Sequence, residues 1–165
     1  MTFFNPISFL LFLSVHSYNL FQMTPQLAKD LSGTYALVNT TETVQAGICP
    51  LTFDLKLISS KKPGAFVLSN RAEFTGLKET KPRRLAIDGQ PRSLPNGQTV
   101  KGEVTQPNAI EVEVVNGHNP SEKLVEVFEF EDDGTLVYRA EHLNAKAQVA
   151  AADILCGDSR YRKTL

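Results

Sequence analysis

Between Leu51 and Leu57 the chain reads LTFDLKL, with apolar and polar residues in strict alternation. Successive side chains of an extended strand point to opposite faces. Leu51, Phe53, Leu55 and Leu57 therefore share one face, and Thr52, Asp54 and Lys56 share the other. A helix would scatter the same residues around its axis. The period recurs downstream. Ile110, Val112 and Val114 oppose Glu111 and Glu113; Phe128 and Phe130 oppose Glu129 and Glu131; Leu136 and Tyr138 alternate likewise. Such segments are half-buried strands of an antiparallel sheet. The alternation predicts Leu51, Phe53, Leu55, Ile110, Val112, Val114, Phe128, Phe130, Leu136 and Tyr138 pointing inward. It predicts Asp54, Lys56, Glu111, Glu113, Glu129 and Glu131 pointing out. Val125 and Val127 place apolar groups on the outward face as well, so that strand is expected to be covered on both sides at its start.

Turn chemistry punctuates these strands. Lys61-Lys62-Pro63-Gly64, Gln106-Pro107-Asn108, residues 116–121 (NGHNPS) and Asp132-Asp133-Gly134 separate paired strands; Gly supplies the positive φ that tight turns need. Residues 88–98 (DGQPRSLPNGQ) read as a longer loop. The expected strands are 51–57, 65–69, 73–77, 84–88, 98–105, 109–115, 123–131, 135–141 and 160–164. Residues 23–31 are read as a short helical turn. Residues 144–154 (NAKAQVAAADI), Ala-rich and free of Gly and Pro, are read as a helix. Eight or nine short strands at regular spacing make an all-β domain, an up-and-down antiparallel barrel or a β-sandwich, occupying residues 23–165.

Residues 1–22 read differently. The run from Ile7 to Val15 (ISFLLFLSV) is too short to span a bilayer as a helix, which takes about twenty apolar residues. It fits the apolar region of a secretory signal, followed by Val15-His16-Ser17, although no Lys or Arg precedes it. A mature chain beginning between Tyr18 and Met23, outside the cytosol, is the expectation. There the two cysteines, Cys49 and Cys156, have a single possible pairing and are expected to form a disulfide. With 17 basic and 18 acidic residues, the composition argues against general attraction to nucleic acid or an anionic membrane. Trp is absent and Phe occurs ten times, so Phe supplies most of the bulky packing.

The order of elements resembles the lipocalins and, more broadly, calycin-type barrels: a short N-terminal turn, a Gly-x-aromatic strand, a meander, one helix and a last strand. Gly33-Thr34-Tyr35 stands where that family has Gly-x-Trp, and Arg160 or Arg162 where it has a basic residue packing across the motif. The resemblance implies an eight- to nine-stranded barrel with one short C-terminal helix, able to hold a small apolar ligand. Leu31 to Leu37 (LSGTYAL), with an arm before it and a cysteine after it, is similar to the opening of bacterial periplasmic metalloprotease inhibitors. Those are small disulfide-bonded barrels that act through the arm.

No catalytic motif stands out. The histidines 16, 118 and 142 are isolated from one another and lack metal-ligand spacing. Glu126, Glu129, Glu131, Asp132 and Asp133 read as the solvated face of a strand and a turn, and not as paired catalytic carboxylates. Lys78, Lys81, Arg83, Arg84 and Arg92 form the densest basic segment, read as a solvated edge. Asn39-Thr40-Thr41 fits a glycosylation sequon. The expected function is non-catalytic binding of a small apolar or amphipathic ligand, without cofactor or metal. The expected lining is Tyr35, Phe53, Leu55, Phe128, Phe130 and Tyr138, with the two tyrosine hydroxyls at a polar end. The alternative is an interaction module or protease inhibitor with a protein partner, acting through its surface and N-terminal arm.

Overall fold

A computed structural model describes residues 23–40, 49–62, 65–74, 77–78, 81–143 and 154–164. Helix α1 (Pro25–Leu31) precedes eleven strands: β1 (Gly33–Thr40), β2 (Thr52–Ser59), β3 (Phe66–Phe74), β4 (Leu77–Lys78), β5 (Arg83–Ile87), β6 (Arg92–Ser93), β7 (Thr99–Gln106), β8 (Ala109–Asn116), β9 (Asn119–Phe130), β10 (Leu136–Leu143) and β11 (Ile154–Lys163). They form one sheet in the order β2-β1-β11-β10-β9-β8-β7-β5-β3. Pairing of β2 with β3 closes these nine strands into a barrel. The two-residue strands β4 and β6 attach to β3 and β7.

Helix α1 starts where Thr24 caps the Leu27 N–H with its hydroxyl at 3.1 Å, ahead of Pro25 in the first turn. Ala28 and Leu31 are buried, and the helix packs on β2. Ser32 fastens its end, donating to the Ala28 carbonyl and accepting from the Leu57 N–H at 2.9 Å. The segment expected as a helix at 144–154 lies outside the described residues, except for Ile154, which opens β11. The last strand is accordingly longer than the expected 160–164. Residues 73 and 74, expected in a separate strand, end β3.

The barrel is mixed, which corrects the expectation of a purely antiparallel meander. β5 and β7 run parallel, with Ile87 beside Gly102. The loop over 88–98 carries the chain back to the end where β5 began, folding β6 against Thr99 and Val100 on the way. Gly89 and Gly97 take positive φ there, 71° and 82°. Gly102 sits in close quarters instead. A Cβ on it would stand 2.7 Å from Ile87 Cδ1 and 2.9 Å from Leu85 Cδ2.

Register places alternate residues inside, as the sequence pattern predicts. Tyr35 lies beside Phe53 and Phe53 beside Ala72; Ile110 lies beside Phe128 and Phe128 beside Tyr138. Of the expected core, Phe53, Leu55, Ile110, Val112, Phe128, Phe130, Leu136 and Tyr138 are buried and Val114 is partly buried. Leu51 is the exception, 41% exposed. It precedes β2, where Pro50 and Cys49 are buried instead, and its backbone bridges Leu37 and Glu73. None of Asp54, Lys56, Glu111, Glu113, Glu129 and Glu131 is buried. Val125 is buried and Val127 partly buried on the outward register, whereas Asn119, Ser121 and Glu122 at the start of β9 are exposed.

Cys49 and Cys156 are bridged, with Cα atoms 5.1 Å apart and 107 positions apart in sequence. The bridge ties the segment before β2 to β11. It suits an oxidising, extracytoplasmic compartment. No helix among the described residues is long and apolar enough to cross a membrane.

Candidate functional site

Six aromatic rings from β1, β2, β9, β10 and β11 meet inside the barrel. Phe53 is at their centre, with its centroid 4.7 Å from Tyr138, 4.9 Å from Tyr161 and 5.8 Å from Phe128. Phe128 lies 5.1 Å from Tyr138, and Tyr35 lies 6.3 Å from Phe130. These tilted and edge-on pairs are the arrangement that ring quadrupoles favour. All six residues expected to line the interior, Tyr35, Phe53, Leu55, Phe128, Phe130 and Tyr138, are buried here. Tyr161, on the inward register opposite Leu136, belongs with them and was not anticipated.

The tyrosine hydroxyls do not converge. Tyr35 donates to the Leu31 carbonyl at 2.6 Å, at the end sealed by α1. Tyr161 donates to the Pro50 carbonyl at 2.6 Å. Tyr138 donates to Glu126 Oε1 at 2.8 Å. Burial pushes Tyr35 up to about 12 and raises Tyr161 too. Tyr138 is raised well above its ordinary value, by burial first and then by the Glu126 charge.

Glu126 is the unexpected member. The sequence reading put it on a solvated acidic face, yet it has the parity of Phe128 and Phe130 and lies inward between Val112 and Ala140. Its side chain is 7% exposed. A buried carboxylate needs a partner. Arg83 supplies one from β5, with Nη1 and Nη2 each 3.0 Å from a different carboxylate oxygen. The Arg83 side chain is 51% exposed, so the pair runs from the aromatic interior to solvent.

Asn70 completes the polar set. On β3 it lies between Leu55 of β2 and Arg83 of β5. It is 2% exposed, and neither its Nδ2 nor its Oδ1 has a hydrogen-bond partner among the described residues. The inward positions around it are Phe66, Leu68 and Ala72. One polar residue in that alternation was the available signal, but the expected strand stopped at Ser69.

Other features have local explanations. The basic segment is divided: Arg83 grips Glu126, Arg92 pairs with Asp88 at 2.6 Å, and Lys81 and Arg84 are exposed. The Arg92 guanidinium holds Asp88 down at about 2. Asp132 to Gly134 form a turn, in which Asp133 accepts from the Thr135 N–H at 2.9 Å and Gly134 has φ 85°. His118 and His142 are exposed. No group of three or more potential metal ligands occurs among the described residues. A hollow of 240 Å³ lies on the outer face of β1–β3, lined by Thr34, Thr52, Asp54, Arg71, Ala72 and Glu73.

Neither Arg160 nor Arg162, the residues expected to pack across Gly33-Thr34-Tyr35, lies beside Tyr35. Lys163 pairs with Tyr35 in register. Its Nζ is 6.0 Å from the Tyr35 ring centroid and donates to the Asp30 carbonyl at 2.6 Å. Arg160 turns outward to Glu131 at 2.6 Å, and Arg162 is exposed. No protein-family model matches the chain, and no curated protein matches it.

Proposed function

We propose that this chain is an exported, non-catalytic β-barrel that takes one small amphipathic molecule into its interior. The observation that carries the reading is the Arg83–Glu126 pair: a half-exposed guanidinium on a buried carboxylate that also accepts from the Tyr138 hydroxyl. A barrel built only for stability fills such positions with apolar residues, because a buried ion pair contributes little net stability. A polar pair that reaches solvent beside an aromatic interior matches a ligand with a polar head and an apolar tail. The apolar run at 7–15 and the Cys49–Cys156 bridge support export.

Titration with the neutral dye N-phenyl-1-naphthylamine tests the reading. Saturable enhancement at one dye per chain is expected, displaced by a short-chain amphiphile. Absence of saturable uptake of dye and amphiphile by the folded, oxidised protein overturns it. Mutual packing of the six rings favours a second reading, in which the interior is filled and the module acts through its surface. Residues 25–31 of the arm, however, are folded onto the barrel as α1. The same titration separates the two readings.

A further inference from the structure

We infer that the interior site takes a neutral ligand bearing an adjacent donor and acceptor, a primary carboxamide or a lactam, which pairs with the side chain of Asn70. The inference rests on the interior-binding reading and specifies the head group.

Among the described residues neither polar atom of Asn70 has a partner, and the residue is 2% exposed. Leaving a buried polar group unpaired costs about 1–3 kcal/mol. A leucine at this position would continue the series Phe66, Leu68 and Ala72 at no such cost. The fold therefore gains nothing internal from the carboxamide. A carboxamide presents N–H donors and a carbonyl acceptor side by side in one plane. Its reciprocal partner is another amide edge, which accepts from Nδ2 while donating to Oδ1.

The neighbours exclude an anionic head. Arg83 beside Asn70 is the nearest cation in register, but its two terminal nitrogens already donate to Glu126. The pair sums to zero charge, and the Tyr138 hydroxyl proton is committed to the same carboxylate. A ligand carboxylate would set a second negative charge near buried Glu126 and offer Asn70 Oδ1 no donor. An ammonium would satisfy Oδ1 and leave Nδ2 unpaired. An amide head leaves the ion pair intact and answers both atoms.

Calorimetric titration of the full oxidised chain with octanamide, octanoate and octylammonium tests this. Octanamide is expected to bind at least tenfold more tightly than either ion. In Asn70→Leu, octanamide should lose at least tenfold while octanoate is unchanged, and the unliganded variant should melt no lower than the native protein. Equal affinities of octanamide and octanoate for the native protein overturn the inference and leave interior binding standing. Unchanged octanamide affinity in Asn70→Leu does the same. A lower melting point for unliganded Asn70→Leu means that bound water satisfies the carboxamide, and this also overturns it. Failure of all three probes and of the dye removes the binding reading itself. The native-protein comparison decides the matter even if Asn70→Leu fails to fold.

Discussion

Arg83 and Glu126 meet inside the barrel wall through two 3.0 Å bonds, yet one is half in solvent and the other almost wholly buried. That asymmetry decides what each substitution does. Removing Arg83 strands a carboxylate with no cation, the situation in which breaking a buried pair costs about 3–5 kcal/mol. Removing Glu126 leaves a guanidinium that water can reach and the Tyr138 hydroxyl without its acceptor, at about 1–3 kcal/mol. Urea denaturation at pH 7 should therefore find Arg83→Met more damaging than Glu126→Leu. The reverse order would show that the pair is not held from the solvent side.

The disulfide is a second handle on stability. In the chain-entropy account, a bridge across 107 residues restricts the unfolded chain by about 4–5 kcal/mol. Net stabilities of single domains are about 5–15 kcal/mol. Cys49→Ser with Cys156→Ser should lower the urea midpoint strongly and steepen the slope, because the unfolded chain without the cross-link exposes more surface. A shift corresponding to less than about 1 kcal/mol would mean that β11 and the segment before β2 hold together without it.

Gly102 tests the parallel contact that sets this barrel apart from a simple meander. Gly102→Ala puts a methyl 2.7 Å from Ile87 Cδ1 and 3.1 Å from the Ala86 carbonyl. Overpacking of this kind costs about 1–3 kcal/mol. Ile87→Val removes the Cδ1 atom, so in the Gly102→Ala background it should recover part of the loss. In the native background the same change only opens space and should destabilise by about 0.5–1.5 kcal/mol. Opposite signs in the two backgrounds, read from thermal melts, would establish the contact.

Most of the wall was legible because a half-buried strand writes its period into the chain. Phe53 to Leu57, Ile110 to Val114 and Phe128 to Tyr138 needed only counting by two. The site was less legible because its residues break that code. Glu126 has the parity of Phe128 and Phe130, but its charge and its acidic neighbours suggested solvent. Arg83 came from a basic segment whose members turn different ways. Neither shows its partner in the sequence, since pairing between β5 and β9 depends on how the wall curves. The parallel β5–β7 contact was hidden for a related reason: the loop composition at 88–98 shows a reversal but not which end the chain returns to.

The outer face of β7 and β8 gives the last prediction, in pH. Glu103 stands directly opposite Glu111, and Glu113 pairs with Lys123 at 2.8 Å on the same face. Glu111 is raised above the ordinary carboxylate value by burial first, then by Glu103 and Glu113. A carboxyl raised on folding favours the folded state fully below its unfolded pKa, about 4.3. That contribution is lost as pH rises through the higher folded value. At pH 7 the ionised Glu111 therefore opposes folding, first through the burial of its charge and then through repulsion from Glu103 and Glu113. Glu111→Gln should melt above the native protein at pH 7. The gain should shrink as pH falls, until at pH 4 the two proteins melt together. A gain independent of pH would assign the effect to local packing rather than to the charge on Glu111.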